Sequence, residues 1–249
     1  MSPDPAVTLV VPCFNEAARL DAEAFAAALD RVPRLRLVFV DDGSTDQTAD
    51  RLEAFRAASP DRVRVMRLAA NRGKAEAVRQ GVLAAFEEGA PIAGYWDADL
   101  ATPLSELPAL TATFAQAPEV EIVLGSRVRL LGRDIQRSVA RHYTGRVFAT
   151  LASIILRLAV YDTQCGAKLF RTTAAVRAAF ERPFETRWTF DVELLARFKA
   201  AARRDGGPPP VARLREVPLS RWREVPGSKL GLADAPAIAL DLFHIWRNR

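Results

Sequence analysis

The sequence predicts an α/β protein: a mainly parallel twisted sheet with helices packed on both of its faces. Three observations carry that expectation. Apolar runs of strand length alternate with segments of helical periodicity from residue 7 to residue 126. The chain has 249 residues, 49% of them hydrophobic and 26% charged, which is enough to bury one large core. Polar residues cluster where the apolar runs end, and ligands of such sheets bind beyond the carboxyl ends of the strands.

The elements follow in order. VTLVVP (7–12) is the first strand, followed by a helix over 17–30. RLVFVDD (36–42) is the second strand, with a helix over 45–58. RVRVMRL (62–68) alternates with period two, and 74–88 has the apolar spacing of a helix. IAGYW (92–96) is the fourth strand, 105–116 a helix and EVEIVLGS (119–126) the fifth strand. The second half is less regular: 133–159 is expected helical, 163–171 extended, 188–204 helical and 211–219 extended. RDGGPPP (204–210) is an exposed connector, GSKLG (227–231) a loop and 233–246 a final helix. The second half offers no core of its own. One domain over 1–249 is therefore expected, divided into a regular half at 1–126 and a less regular half at 127–249.

Composition excludes several classes. The formal charge is +5 with an isoelectric point near 9.7, and Arg outnumbers Lys 31 to 4. Cys13 and Cys165 lack metal-ligand spacing and are expected to be reduced and buried. The opening MSPDPAVTLVVP has no basic region before its apolar stretch and resembles a first strand, not a signal peptide. No apolar stretch approaches the roughly 18 residues of a membrane span. The nearest, VFATLASIILRLAV (147–160), is short and contains Arg157. No G-x-G-x-x-G follows the first strand and no P-loop is present, so a dehydrogenase or P-loop nucleotidase is not supported. A nucleic-acid partner is not expected.

Four strand ends bear groups suited to chemistry: Cys13–Glu16, Asp41–Ser44, Ala70–Lys74 and Asp97–Asp99. In FVDDGSTDQT (39–48), Asp41 and Asp42 are placed to accept hydrogen bonds from a base or ribose. The same residues also fit a plain strand–turn–helix junction, with Gly43 taking a positive φ and Ser44 or Thr45 capping. NRGKAEA (71–77) sets Arg72, Gly73 and Lys74 at a helix start, an arrangement that favours a phosphate. YWDADLATP (95–103) places Asp97 and Asp99 one residue apart behind an apolar run. Like charges about 4 Å apart cost on the order of 4 kcal/mol at an effective dielectric near 20. A hard divalent cation, Mg²⁺ or Mn²⁺, would offset that cost and bridge to a diphosphate.

Taken together, VPCFNE, DDGSTD, NRGKA and DADLATP resemble the ordered motifs of family 2 glycosyltransferases with the GT-A fold. GSR (125–127), QRS (136–138), DTQCGAKLF (162–170), RWTFDVELL (187–195) and EVPGSKL (224–230) are similar to the dolichyl-phosphate β-glucosyltransferases. The likeness runs from Val7 to Leu230. Related mannose synthases carry a Gln ligand two residues after the second Asp, where this chain has Ala101. Relatives also commonly carry a membrane span, and this sequence offers no such stretch.

The resemblance implies an inverting enzyme that moves a hexose, glucose from UDP-glucose first, onto a polyprenyl phosphate such as dolichyl or undecaprenyl phosphate. Asp97 and Asp99 would hold the metal. Pro12, Asn15, Glu16, Asp41, Asp42, Arg72, Gly73, Lys74, Asp97 and Ala98 would line the donor, with Ser228 and Lys229 on a closing loop. Asp99, Asp191 and Arg127 are the expected catalytic residues. Asp191 would act as a sugar ligand before a base. An acceptor that is itself an anion needs cations: Arg127 and Arg137 are assigned to its phosphate, with Gln164 and Lys168 nearby. Arg133, Arg137 and Arg141 recur every four residues and would form one stripe on a helix. Segment 145–160 and PAIALDLFHIWRNR (236–249) could lie flat at a membrane, which gives a peripheral position at a cytoplasmic face, or pack as core helices. His142 and His244 are read as structural. The alternatives are a GDP-mannose-dependent enzyme acting on the same acceptor and a non-catalytic nucleotide-sugar or lipid binder.

Overall fold

The computed structural model describes residues 6–225 and 235–247, with backbone alone for 139–142 and 235. The first half alternates as expected. β1 (Val7–Cys13), α1 (Ala22–Arg31), β2 (Leu35–Asp41), α2 (Thr48–Ala58), β3 (Val63–Arg67), α3 (Lys74–Glu87) and β4 (Ile92–Trp96) come first. α4 (Leu107–Gln116) and β5 (Ile122–Ser126) follow. Local chemistry explains the boundaries. Asp21 caps α1 by accepting from the Ala24 amide at 2.9 Å, which satisfies one of the donors a helix start leaves over. Phe25 and Leu29, one turn apart, are the face α1 buries.

The remaining elements are β6 (Asp134–Gln136), α5 (Val139–Leu156), β7 (Ala167–Arg171), α6 (Ala174–Glu181), α7 (Phe190–Ala202), β8 (Leu214–Pro218), β9 (Arg221–Arg223) and α8 (Ala235–Arg247). Seven strands form one sheet in the order β3-β2-β1-β4-β7-β5-β8, and β6 pairs with β9 in a second, two-stranded sheet. β1, β2, β3 and β4 run parallel, as do β5 and β8. β7 is antiparallel to both of its neighbours, β4 and β5. The sheet is thus mainly parallel, with one reversed strand joining its two parallel parts.

Strand alternation divides the core into two layers. Val10, Val38 and Val40 point to the side covered by α3, α5, α6, α7 and α8. Leu9, Val11, Leu37 and Phe39 point to the side covered by α1, α2 and α4. Cys13 and Cys165 are buried free thiols on the second side.

The expected helix over 133–159 is corrected at its start. Residues 134–136 form a strand whose ladder to β9 is extended by Asp134 N–H to Ser220 O at 2.9 Å and Glu224 N–H to Gln136 O at 3.1 Å. Ser138 is the N-cap, so α5 begins only at Val139. Arg133 and Arg137 therefore precede the helix and do not form a stripe with Arg141. A pairing partner almost ninety residues away overrides the local helical spacing. α6 and β9 had no counterpart in the sequence reading.

No described helix is long and apolar enough to cross a membrane. α5 and α8 pack together and leave large apolar side chains exposed: Tyr143, Val147, Leu151 and Ile154 on α5, with Leu240, Phe243 and Trp246 on α8.

Candidate functional site

The parallel register brings the carboxyl ends of β1, β2 and β4 to one rim, with Cys13 beside Asp41. Each strand end then delivers polar groups. After β1, Asn15 adopts a φ of 54°, which aims its side chain at the β2 turn. Its amide donates to Ser44 Oγ at 3.0 Å and its Oδ1 accepts from the Thr45 amide at 2.9 Å. Glu16 is buried, donates from its amide to Thr48 Oγ1 at 2.8 Å and accepts from Arg19 at 2.6 Å. Pro12 is half-buried at the end of β1.

After β2, both carboxylates hold backbone. Asp41 Oδ1 accepts from the Ser44 amide at 3.0 Å, and Arg67 lies 3.4 Å from its other oxygen. Asp42 accepts from the Arg72 and Gly73 amides at 2.7 and 2.8 Å, one per oxygen. Asp42 thereby docks the start of α3 onto the β2 turn. Gly43, at φ +69°, is packed so closely on Ala70 and Asn71 that a Cβ would strike their backbone. The buried Cys13 thiol beside this rim has its pKa pushed well up, by burial first and then by Glu16 and Asp41.

After β4 comes the acidic pair. The Asp97 amide donates to Gly166 O at 2.9 Å, which fixes the strand end against the start of β7. A side chain on Gly166 would run into the Asp97 carboxylate; only a glycine leaves that carboxylate its place. Asp99 Oδ1 accepts from the Ala101 amide at 3.0 Å. Lys74 reaches across from α3, with Nζ 2.5 Å from Asp97 Oδ1 and 5.4 Å from the Tyr95 ring centre.

The electrostatics of this pair invite a cation. Burial, then Asp97, raise the Asp99 carboxyl above its ordinary value against the opposing pull of the Ala101 amide, Lys74 and Arg19. Burial pulls Lys74 down, but Asp97, Asp191 and Asp99 outweigh it and its pKa rises. Two hard oxygen donors side by side fit Mg²⁺ or Mn²⁺. Among the described residues no group of three or more His, Cys, Asp or Glu could hold a metal. The remaining ligands would have to come from a diphosphate and water.

Beneath the rim lies a buried ionic cluster. Lys168 Nζ is 2.9 Å from Asp191 Oδ1, and it donates to Tyr95 Oη at 2.7 Å and to Cys165 O at 2.6 Å. The Tyr95 hydroxyl donates to Asp191, and Gln164 Nε2 lies 3.4 Å from the other Asp191 oxygen. Tyr95 has its pKa raised, by burial and then by Asp191. Lys168 has 0% side-chain exposure, and its three N–H groups match the three contacts. This corrects its placement among acceptor contacts: it is a buried counter-ion of Asp191.

Arg127, at the end of β5, forms a forked pair with Asp162, with Nε and Nη2 each 2.7 Å from a carboxylate oxygen. The Arg127 amide donates to Asp162 at 3.0 Å, and its guanidinium lies 5.4 Å from the Trp222 ring centre. Burial works to raise Asp162, yet Arg127 outweighs it and holds the carboxyl below its ordinary value. Glu216 on β8 supports the arrangement by accepting from the Tyr161 and Asp162 amides, both at 2.7 Å. Arg137 is half-buried, its guanidinium lying against Gly145 of α5.

The chain matches the family described as Glycosyl transferase family 2 over residues 8–177. The chain belongs to that family. Its relatives include the dolichyl-phosphate beta-glucosyltransferase of Saccharomyces cerevisiae, 33% identical over 258 residues that span 95% of this chain and 72% of that protein. Dolichyl-phosphate beta-glucosyltransferase of Mus musculus is 34% identical, across 92% of this chain and 71% of that protein. Among solved structures, glucosyl-3-phosphoglycerate synthase of Mycobacterium tuberculosis with Mn²⁺ and UDP-glucose superposes with a TM-score of 0.66 at 17% identity. That match covers 98% of this chain and 78% of the other. A mannosyltransferase from Pyrobaculum calidifontis with GDP-Man and Mn²⁺ gives a TM-score of 0.60 at 19% identity, covering 99% and 64%. These likenesses show the GT-A fold.

In this family 2 glycosyltransferase, Asp41, Asp42, Gly73, Lys74, Asp97, Ala98 and Asp99 meet around one rim. Ala98 is buried between the two acids and Arg72 is exposed at the start of α3. Ser228 and Lys229 lie outside the described residues, as does the Arg141 side chain. The sequence reading gave no role to Tyr95, Asp162, Gly166 or Glu216. DTQCGAKLF had marked Asp162 and Gly166 as part of a motif, and membership of that motif was the available signal.

Proposed function

We propose that this glycosyltransferase moves glucose from UDP-glucose to a polyprenyl phosphate with inversion, working from a nucleotide-sugar half (1–126) and an acceptor half (127–249). The observation that carries the reading is the pair Asp97 and Asp99 beside Lys74 at the end of β4, in a chain about one third identical to dolichyl-phosphate beta-glucosyltransferases. Mg²⁺ or Mn²⁺ held by Asp97 and Asp99 would supply Lewis-acid stabilisation of the leaving diphosphate.

The chain's own groups do the rest. Asp42 holds the start of α3 in place, where Lys74 and the first amides face the diphosphate. Asp41 stands at the β2 end for the nucleoside. Arg127, presented by Asp162, and Arg137 receive the acceptor phosphate. That phosphate is already largely ionised at pH 7, its second pKa being near 6, and needs no base to become a nucleophile. Asp191, paired with Lys168 and Tyr95, serves as a fixed acceptor for a sugar hydroxyl. The exposed apolar stripe of α5 and α8 would rest on the cytoplasmic face of a membrane, from which the lipid tail reaches the site.

Ala101 supplies no side-chain oxygen where mannose synthases have a glutamine, which favours glucose. A transfer assay decides, with UDP-glucose and GDP-mannose offered alongside a short polyprenyl phosphate and Mn²⁺. Glucosyl transfer alone is expected. Mannosyl transfer alone overturns the donor, and nucleotide binding with no transfer to any acceptor overturns catalysis.

A further inference from the structure

Two ammonium groups flank the Tyr95 ring, and they differ in freedom. Lys168 Nζ lies 5.0 Å from the ring centre, fully enclosed, with each donor spent on the protein. Lys74 Nζ lies 5.4 Å from the same centre and 2.5 Å from Asp97 Oδ1, yet its side chain is 42% exposed. Lys74 is the first residue of α3, directly after Gly73 at φ +91°. The amides at that helix start face the position expected for the donor diphosphate. A lysine side chain has four rotatable bonds and no fixed fork geometry. It can leave Asp97 for a neighbouring anion without moving backbone.

We propose that Lys74 is a resident counter-ion of the acidic pair, which opposes a divalent cation at Asp97 until the donor diphosphate draws the ammonium away. Metal and nucleotide sugar then enter as coupled ligands, not independently. The inference rests on the metal reading above. It follows from geometry: a cation bound to Asp97 Oδ1 would sit within a few ångströms of an ammonium already salt-bridged there, and like charges at that range repel strongly. Opposite attraction from Asp99 and Asp191, the other acids near Lys74, holds the ammonium in place while no diphosphate competes. When diphosphate oxygens arrive they offer Lys74 an equal partner and offer the metal further ligands. Each ligand thus raises the other's affinity by the same factor.

Mn²⁺ titration followed by the electron paramagnetic resonance of the free ion tests this on the whole chain. Wild type should bind Mn²⁺ weakly alone and about tenfold or more tightly with saturating UDP. Lys74→Met should bind Mn²⁺ alone about tenfold tighter than wild type, and UDP should add correspondingly less. Lys74→Arg, which keeps the charge, should retain the weak binding of wild type. A thermal melt of each variant checks folding. Mn²⁺ affinity in wild type that is indifferent to UDP overturns the proposal without any variant. Unchanged affinity for Mn²⁺ alone in Lys74→Met, with UDP coupling intact, also overturns it while leaving the metal reading standing. Failure of wild type to bind Mn²⁺ even with UDP removes the metal reading and this inference with it.

Discussion

Asp99 combines a raised pKa with a neighbouring carboxylate, so its charge is stabilised most when a cation is near. Asp99→Ala is expected to lower transfer by at least about a hundredfold and to abolish the Mn²⁺-dependent part of UDP binding, read by calorimetry with and without metal. Gly166→Ala tests placement instead of charge, because the added methyl would push the Asp97 carboxylate aside. A misplacement near 1 Å can cost about a hundredfold in rate, so kcat should fall steeply while circular dichroism stays native. The acidic pair, Asp42 and Lys74 were legible in the sequence because each follows directly on an apolar run or opens a helix. Lys168 was not. An alternating strand puts its side chain on one face, but only the fold reveals that Tyr95 and Asp191 occupy that face, 73 and 23 positions away. Asp162 escaped notice for the same reason, its partner Arg127 lying 35 residues earlier.

Helical spacing between Arg133 and Arg141 was real, and the structure still spends 134–136 on a ladder with β9. Strand pairing with a distant segment leaves no local trace, which is why β6, β9 and the true start of α5 were hidden. The consequence is functional. Arg133 donates to Ser220 Oγ at 2.5 Å, whereas Arg137 rests on α5 at Gly145. Arg137→Ala should raise the acceptor KM about tenfold, as expected for a lost charge-assisted contact, and Arg133→Ala should leave it unchanged in the same steady-state assay. The loop between α5 and β7 also carries a pH dependence. Asp162 has a lowered pKa in the folded protein, so its contribution is complete above the unfolded value of about 3.9. It is lost as pH falls through the lower folded value. Melting temperatures taken from pH 6 down to pH 3 should therefore drop more steeply for wild type than for Asp162→Asn.

At the scale of the whole molecule, the α/β class and the helices on both faces were readable from alternation alone, since the strands β1, β4 and β5 are almost wholly apolar runs set between helical segments. The reversed direction of β7 was not, because side-chain pattern is blind to strand polarity. α5 and α8 turn Ile154, Leu240 and Phe243 outward together. Phe243→Glu is expected to weaken binding to vesicles with anionic lipid by about tenfold. Its turnover on a short, water-dispersed polyprenyl phosphate should remain unchanged. Co-sedimentation with vesicles and the transfer assay separate the two.

The placement of β7 has a consequence for how the chain comes into being. β4 and β5 never bond to each other; a strand synthesised some forty residues after β5 has to slide between them. A nascent chain released at residue 126 would leave β4 with one bare edge and β5 with no partner at all, with hydrophobic ribbons open to any passing strand. Only once Arg171 has cleared the ribosome can the gap close. Fragments that end before β7 should aggregate, and ones that run past it should remain dispersed.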